Sequence, residues 1–249
     1  MSLVVQKYGG SSLATAGRIK NVASRIDERK IKGDDLVIVV SAMGKQTDEL
    51  LRLAHGVSDN PPARELDMLL SVGERISMAL LSMALHDLGQ PAISFTGSQS
   101  GIVTDTVHTN ARILEVKADR IREELKQGKV VIVAGFQGVS VTREITTLGR
   151  GGSDVTAVAL AISLRASSCE FYKDVDGLYS RDPKQDANAE KLSECDYSKV
   201  HELVEHGARV FHPLAIDLAR RHSLPLYLAS SFNSESGTWI RSGREGAHG

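Results

Sequence analysis

Short apolar runs rich in β-branched residues alternate with helical periodicities along the whole chain. Residues 3–5 read as a strand running into KYGGSS, and over 14–29 Ile19, Val22, Ala23 and Ile26 recur on one helical face. LVIVV at 36–40 is apolar at every position, the pattern of a strand covered on both sides. A short helix is predicted over 47–54 and a longer one from about 63 to 88. Further strands are predicted at 92–95, 130–134, 168–172 and 225–228. The segment 139–147, polar at Thr142, Arg143 and Glu144, reads as a hairpin. Strands separated by helices predict an α/β fold, a three-layer αβα sandwich around a mainly parallel sheet. No internal repeat or low-complexity linker divides the chain, so 1–240 reads as a single domain. Residues 241–249 are expected to form a disordered tail.

Ligands in such sheets lie at the carboxyl ends of the strands. Four loops there are rich in Gly, Ser and Thr: 9–12, 41–47, 135–138 and 149–154. One such loop is a turn; four suggest a phosphate site assembled from across the chain. The stretch 146–157, TTLGRGGSDVTA, is the richest. Gly149, Gly151 and Gly152 let backbone approach a ligand, and the apolar periodicity that follows predicts a helix whose positive end holds an anion. Arg150 adds a bidentate grip suited to a carboxylate or phosphate. Ser153 or Asp154 would supply the helix N-cap, and on this stretch alone capping is the simpler account of Asp154. Lys7 precedes Gly9-Gly10-Ser11-Ser12 directly; a lone lysine at a strand end usually snorkels to water, but beside a diglycine it can reach a phosphate.

Composition narrows the partners. Lys plus Arg is 30 against Asp plus Glu at 31, so no charge excess points to nucleic acid or an anionic membrane. Cys169 and Cys195 stand apart with no metal-ligand spacing and read as reduced thiols. The N-terminus has too short an apolar run for a signal sequence, and no run is read as approaching membrane-spanning length; the expectation is a soluble, cytoplasmic protein. Several near-motifs fail. Gly44-Lys45 lacks the Walker A spacing because position 39 is Val and position 46 is Gln. GRGGSD lacks the third glycine of a dinucleotide fingerprint, and HELVEH at 201–206 has Glu205 where HExxH needs histidine. DVDGLY places its glycine too early for an EF-hand loop.

The blocks VQKYGGSSLATAGRIKNVA, VVSAMGKQTDELL, LLSVGERIS, GFQGV, TTLGRGGSDVTAVALA, YKDVDGLYSRDP, HGARVFHPLAI and SSFNSESGT follow one another from about residue 3 to 240. In this order they resemble the amino acid kinase superfamily, and within it the catalytic domain of the aspartokinases. The resemblance implies the carbamate kinase-like fold, with an amino-acid lobe at about 1–148 and a nucleotide lobe at about 149–240. It implies transfer of the ATP γ-phosphoryl group to the β-carboxylate of L-aspartate, the first step of aspartate-family (lysine and threonine) biosynthesis. ATP and Mg²⁺ are then the cofactors, with the metal held mainly by ATP phosphates rather than by protein ligands. Lys7 and Asp154 would be catalytic, Asp154 by orienting Lys7 rather than by capping. Gly9, Gly10, Ser11, Gly151, Gly152 and Ser153 would bind phosphate. Ser41, Thr47, Glu74 and Arg150 would bind aspartate, Arg150 at its α-carboxylate and Glu74 at its α-ammonium. Without the resemblance, Glu74 would be solvated or salt-bridged, with Arg75 beside it as an available partner, and Ser41 and Thr47 would serve a turn and a helix N-cap. Lys173, Asp174, Tyr179, Lys184 and Arg209 would contact the nucleotide, the last two standing where relatives carry Arg and Lys respectively. Aspartokinases commonly continue into ACT regulatory domains; the chain stops after the core's last strand, so no attached ACT pair is expected and a homodimer is left open. Another acidic amino acid as acceptor, or a non-catalytic nucleotide-binding subunit, are the alternatives.

Overall fold

The computed structural model describes residues 2–181, 183, 186, 188–205 and 210–243. The chain opens with β1 (Leu3–Tyr8), a 3-10 turn (Gly10–Leu13), α1 (Ala16–Ile31) and β2 (Asp35–Val40). Three helices follow, α2 (Gln46–Val57), α3 (Ala63–Leu70) and α4 (Val72–Asp87), before β3 (Ala92–Phe95), β4 (Ile102–Thr104) and β5 (Ile113–Val116). Next come α5 (Asp119–Lys126), β6 (Val130–Ala134), β7 (Gln137–Ser140), β8 (Ile145–Thr147) and α6 (Gly152–Leu164). The last part holds β9 (Ser168–Lys173), β10 (Leu178–Tyr179), β11 (Lys191–Leu192), β12 (Glu194–Asp196), α7 (Tyr197–Glu205), α8 (Pro213–Arg221), β13 (Leu226–Ser230) and β14 (Thr238–Arg241).

Among the described residues the central sheet has eight strands in the order β12-β14-β13-β9-β1-β2-β6-β3, parallel except where β13 meets β14. The α/β sandwich expected from the alternation is therefore observed. Its layers follow from strand parity. Leu36, Ile38 and Val40 of β2, with Val130 and Ile132 of β6, enter one core with Ile19, Val22 and Ile26 of α1 and Leu81 and Leu85 of α4. The intervening Val37, Val39, Val131 and Val133 enter the opposite core with α5, α6 and α8. Successive side chains on a strand point to opposite faces, so an unbroken apolar run is what two covered faces require. The sheet runs across residue 148 without interruption, since β1 pairs with both β2 and β9. The predicted hairpin is β7–β8, in a second, four-stranded sheet, and it delivers the chain to GRGG.

Three expectations need correction. The long helix at 63–88 breaks at Ser71, whose carbonyl accepts a hydrogen bond from Gln137 Nε2 at 2.8 Å. A side chain taking that carbonyl is a sufficient cause for the break. The span Ala63–Asp87 is, by length and composition, apolar enough to cross a membrane, contrary to the sequence reading; Leu81 and Leu85 are fully buried against α1 and the sheet. At the far end Arg241 is part of β14, paired with Asp196, rather than part of a tail; residues 244–249 lie outside the described residues. Leu81 tests the layer assignment. Truncation by Leu81→Ala should cost about 2–5 kcal/mol in urea denaturation, and a loss well under 1 kcal/mol would show that α4 does not close the core.

Candidate active site

Lys7 and Asp154 meet where the sequence brings β1 and α6 together. Both are buried, and Lys7 Nζ lies 2.8 Å from Asp154 Oδ1. The snorkelling alternative for Lys7 does not hold. A second ammonium closes the other side: Lys173 Nζ, at the end of β9, lies 2.8 Å from Asp154 Oδ2 and also donates to the Val210 carbonyl. The His212 backbone N–H donates to the same oxygen at 3.3 Å. Burial alone would raise the Asp154 carboxyl, but the two ammonium groups outweigh it and hold it well below the usual carboxylate range. Burial lowers Lys173, against the pull of Asp154. Asp154 is thus not the helix cap. α6 is capped by Gly151 in the left-handed conformation, φ 77°, with no side-chain cap bond, and Ser153 does not cap it either. A side chain at residue 151 would also strike His212, its Cβ only 2.4 Å from the ring.

The glycine-rich loops do converge. A Cβ on Gly10 would lie 2.7 Å from the Ala42 carbonyl, and Gly44 N–H donates to the Gly10 carbonyl at 2.9 Å, locking loop 9–12 to loop 41–47. A Cβ on Gly135 would meet Ser153 at 2.8 Å, which joins the remaining two loops. The expectation that both Gly9 and Gly10 amides face a phosphate is corrected in part: Gly9 N–H donates to Tyr172 O at 3.2 Å. Gly9 still leaves space beside Lys7 Nζ, 3.8 Å from where its Cβ would be. Gly10 and Ser11 open the 3-10 turn, where the leading N–H groups have no partner within the helix. The Ser11 carbonyl is held by Arg18 at 2.6 Å. A cavity of about 570 Å³ lies over this centre, lined by Lys7, Asp154, Lys173, Arg150, Gly151 and His212. Two helix N-termini, of α6 and α8, border it. Ammonium groups and helix ends together favour an anion.

Glu74 lies on the first turn of α4, 3% exposed. Its Oε1 accepts the Ala42 N–H at 3.1 Å, while Oε2 is buried without a partner. Arg75, the sequence alternative for an ion pair, points instead to Gln137 at 3.4 Å. Burial is the main influence on Glu74 and raises its carboxyl to about 7. Ser41 follows β2, its N–H donating to Tyr8 O. Thr47 is inside the first turn of α2 and not its cap; Lys45 holds that place. Arg150 reaches into solvent, its side chain 93% exposed and 4.0 Å from Asp48, so it is not engaged with the buried centre.

Of the residues expected at the nucleotide, Lys173 belongs to the Asp154 clamp. Asp174 is exposed just beyond it. Tyr179 is half-buried, its hydroxyl donating to Asp176 at 3.0 Å. Lys184 and Arg209 lie outside the described residues. Sequence reasoning missed His212 and the clamp role of Lys173. The pairing of two strands that each carry a lysine at the carboxyl end was the available signal.

The amino acid kinase family model matches residues 2–230. The chain belongs to the amino acid kinase family. This family member is 51% identical over 241 residues to the aspartokinase of Geobacillus stearothermophilus, covering 97% of this chain and 59% of that protein. It is 54% identical over 246 residues to the aspartokinase of Corynebacterium glutamicum, covering 98% of this chain and 58% of the relative. It therefore spans well under two thirds of the relatives it matches. Among solved structures, aspartate kinase from Synechocystis superposes with a TM-score of 0.87 at 46% identity, over 97% of this chain and 40% of that one. E. coli aspartokinase III in complex with aspartate and ADP superposes with a TM-score of 0.87 at 25% identity, over 98% and 65%.

The Glu74 shift has a stability consequence. With a native value near 7 against an ordinary 4.5, the folded state binds the extra proton between those values. Stability should fall as pH rises through that window and level off above it. Asp154, depressed, contributes above its ordinary range and loses that contribution only in acid. Urea titrations from pH 5 to 8 should show the downward slope in the parent and a flatter profile in Glu74→Gln. A slope that survives the substitution would contradict the assignment.

Proposed function

We propose that this chain is the catalytic unit of an aspartokinase, transferring the γ-phosphoryl group of ATP to the β-carboxylate of L-aspartate to give 4-phospho-L-aspartate. The observation that carries the reading is the Lys7–Asp154–Lys173 clamp in a cavity bordered by two helix N-termini. Support comes from relatives at 51% and 54% identity that are aspartokinases, and from a like fold that binds aspartate and ADP.

The chemistry fits the residues. A carboxylate is a nucleophile at neutral pH without a general base, so the barrier is the approach of one anion to another. Positioning and electrostatic stabilisation then supply most of the catalysis. Lys7 and Lys173 carry two positive charges against the single charge of Asp154, leaving a net positive field for the transferring phosphoryl group. The Gly10 and Ser11 amides and the α6 N-terminus at Gly151, Gly152 and Ser153 add donors for phosphate oxygens. Glu74, with a free carboxylate oxygen, takes the α-ammonium of aspartate, and the Ser41 and Thr47 hydroxyls hydrogen-bond the same substrate. Arg150, free in solvent, swings in to the α-carboxylate. Asp174 and Tyr179 are assigned to the nucleotide. Magnesium would enter bound to the nucleotide phosphates, since both Asp154 oxygens are occupied by ammonium groups. The metal, when bound to ATP, offsets phosphate charge.

Trapping the acyl phosphate with hydroxylamine should yield aspartyl hydroxamate in an ATP-dependent assay. Lys7→Ala should lower kcat by about 100-fold or more, the scale of losing one donor aimed at developing charge. No hydroxamate from the parent, or a Lys7→Ala variant that turns over at the parent's rate, would refute the reading.

A further inference from the structure

Gln46 belongs to none of the roles assigned above, yet its Oε1 is buried without a hydrogen-bond partner. Buried acceptors are almost always satisfied, so one left open calls for a donor. Its neighbourhood is that of Glu74, whose Oε2 is open in the same way. Residue 73 has no side chain: a Cβ there would lie 2.8 Å from Ala42 Cβ and 3.8 Å from Gln46 Oε1. That close approach seats the first turn of α4 on Ala42, whose N–H holds Glu74 Oε1. The start of α2 brings Gln46 to the same wall, with its N–H on Met43 O at 2.9 Å. Ala42 and Gly73 therefore adjoin two open acceptors, one carboxylate and one amide oxygen.

We propose that Gln46 is a specificity-determining residue, its Oε1 being the second acceptor, beside Glu74 Oε2, for the α-ammonium group of the amino acid substrate. The inference rests on the function proposed above and sharpens its substrate class. A primary ammonium brings three N–H donors and a charge, enough for both acceptors. An N-acylated amine brings one N–H and no charge, and an acid without an amine brings neither. Both would leave a buried acceptor open, which is the strong form of discrimination. The selected class is the acidic amino acid with a free amine.

Steady-state kinetics of Gln46→Leu and Gln46→Glu by the hydroxamate assay test this, with succinate (aspartate without its amine) as a competitive inhibitor. Gln46→Leu should raise the aspartate KM about tenfold, the scale of one hydrogen bond to a charged group, and leave the succinate Ki and the ATP KM unchanged. Gln46→Glu, which restores an acceptor, should return the aspartate KM to the parent's range or below it. An aspartate KM within twofold of the parent in Gln46→Leu would overturn the proposal. So would a parallel rise in the succinate Ki and ATP KM, or a failure of Gln46→Glu to rescue. A parent that makes no aspartyl hydroxamate would sink the proposed function itself, and this inference with it.

Discussion

The structure turns on one buried carboxylate shared by two ammonium groups, one buried and one half-buried. Two lysines brought together out of water repel each other and each loses hydration, and Asp154 offsets both costs by accepting from Lys7 on one oxygen and Lys173 on the other. The balance remains positive by one charge, and that surplus faces a cavity. Keeping the three groups in place is a matter of strand register. β1 and β9 pair in parallel with Gln6 beside Glu170 and Tyr8 beside Tyr172, which sets Lys7 and Lys173 on the same face of adjacent strands. A slip of one residue would turn either lysine to the opposite side.

The reverse face of those strands carries a polar network suited to fixing that register. Glu170 Oε2 accepts from Gln6 Nε2 and from the Tyr172 hydroxyl, both at 2.9 Å, and Arg29 stands 3.3 Å from Oε1. The Tyr8 hydroxyl donates to Gln6 Oε1, and the Tyr8 and Tyr172 rings stack with centroids 5.0 Å apart. A buried network with its members satisfied specifies one arrangement more sharply than an apolar surface does. The opposite face is then free to hold groups that local stability would not favour: lysines drawn together, glycines pressed against carbonyls, and a glutamate with one oxygen open.

Much of this was legible in the sequence because it depends on local pattern. The run LVIVV was doubly apolar and became a doubly covered strand; the Gly-rich loops fell at strand ends and met there. Asp154 was harder. Beside a helix start its type and position match a cap, and only partners distant in the chain, Lys7 and Lys173, reveal another use. The charged neighbour of Glu74 misled similarly, since Arg75 projects from the helix in a different direction and reaches Gln137. The span 63–87 shows no unbroken apolar run in the sequence, because Arg64, Glu65, Asp67, Glu74 and Arg75 interrupt it. Gln46 lies in the block VVSAMGKQTDELL but had no role there; an unsatisfied acceptor is visible only once the chain has folded around it.

The central claim is that the Lys7 ammonium, held by Asp154, meets the phosphoryl group in transit. A crystal structure with a non-hydrolysable ATP analogue and aspartate tests it most directly. Lys7 Nζ is expected within hydrogen-bonding distance of a terminal phosphate oxygen while still paired with Asp154. An ammonium turned away from every phosphate oxygen in that complex would contradict it.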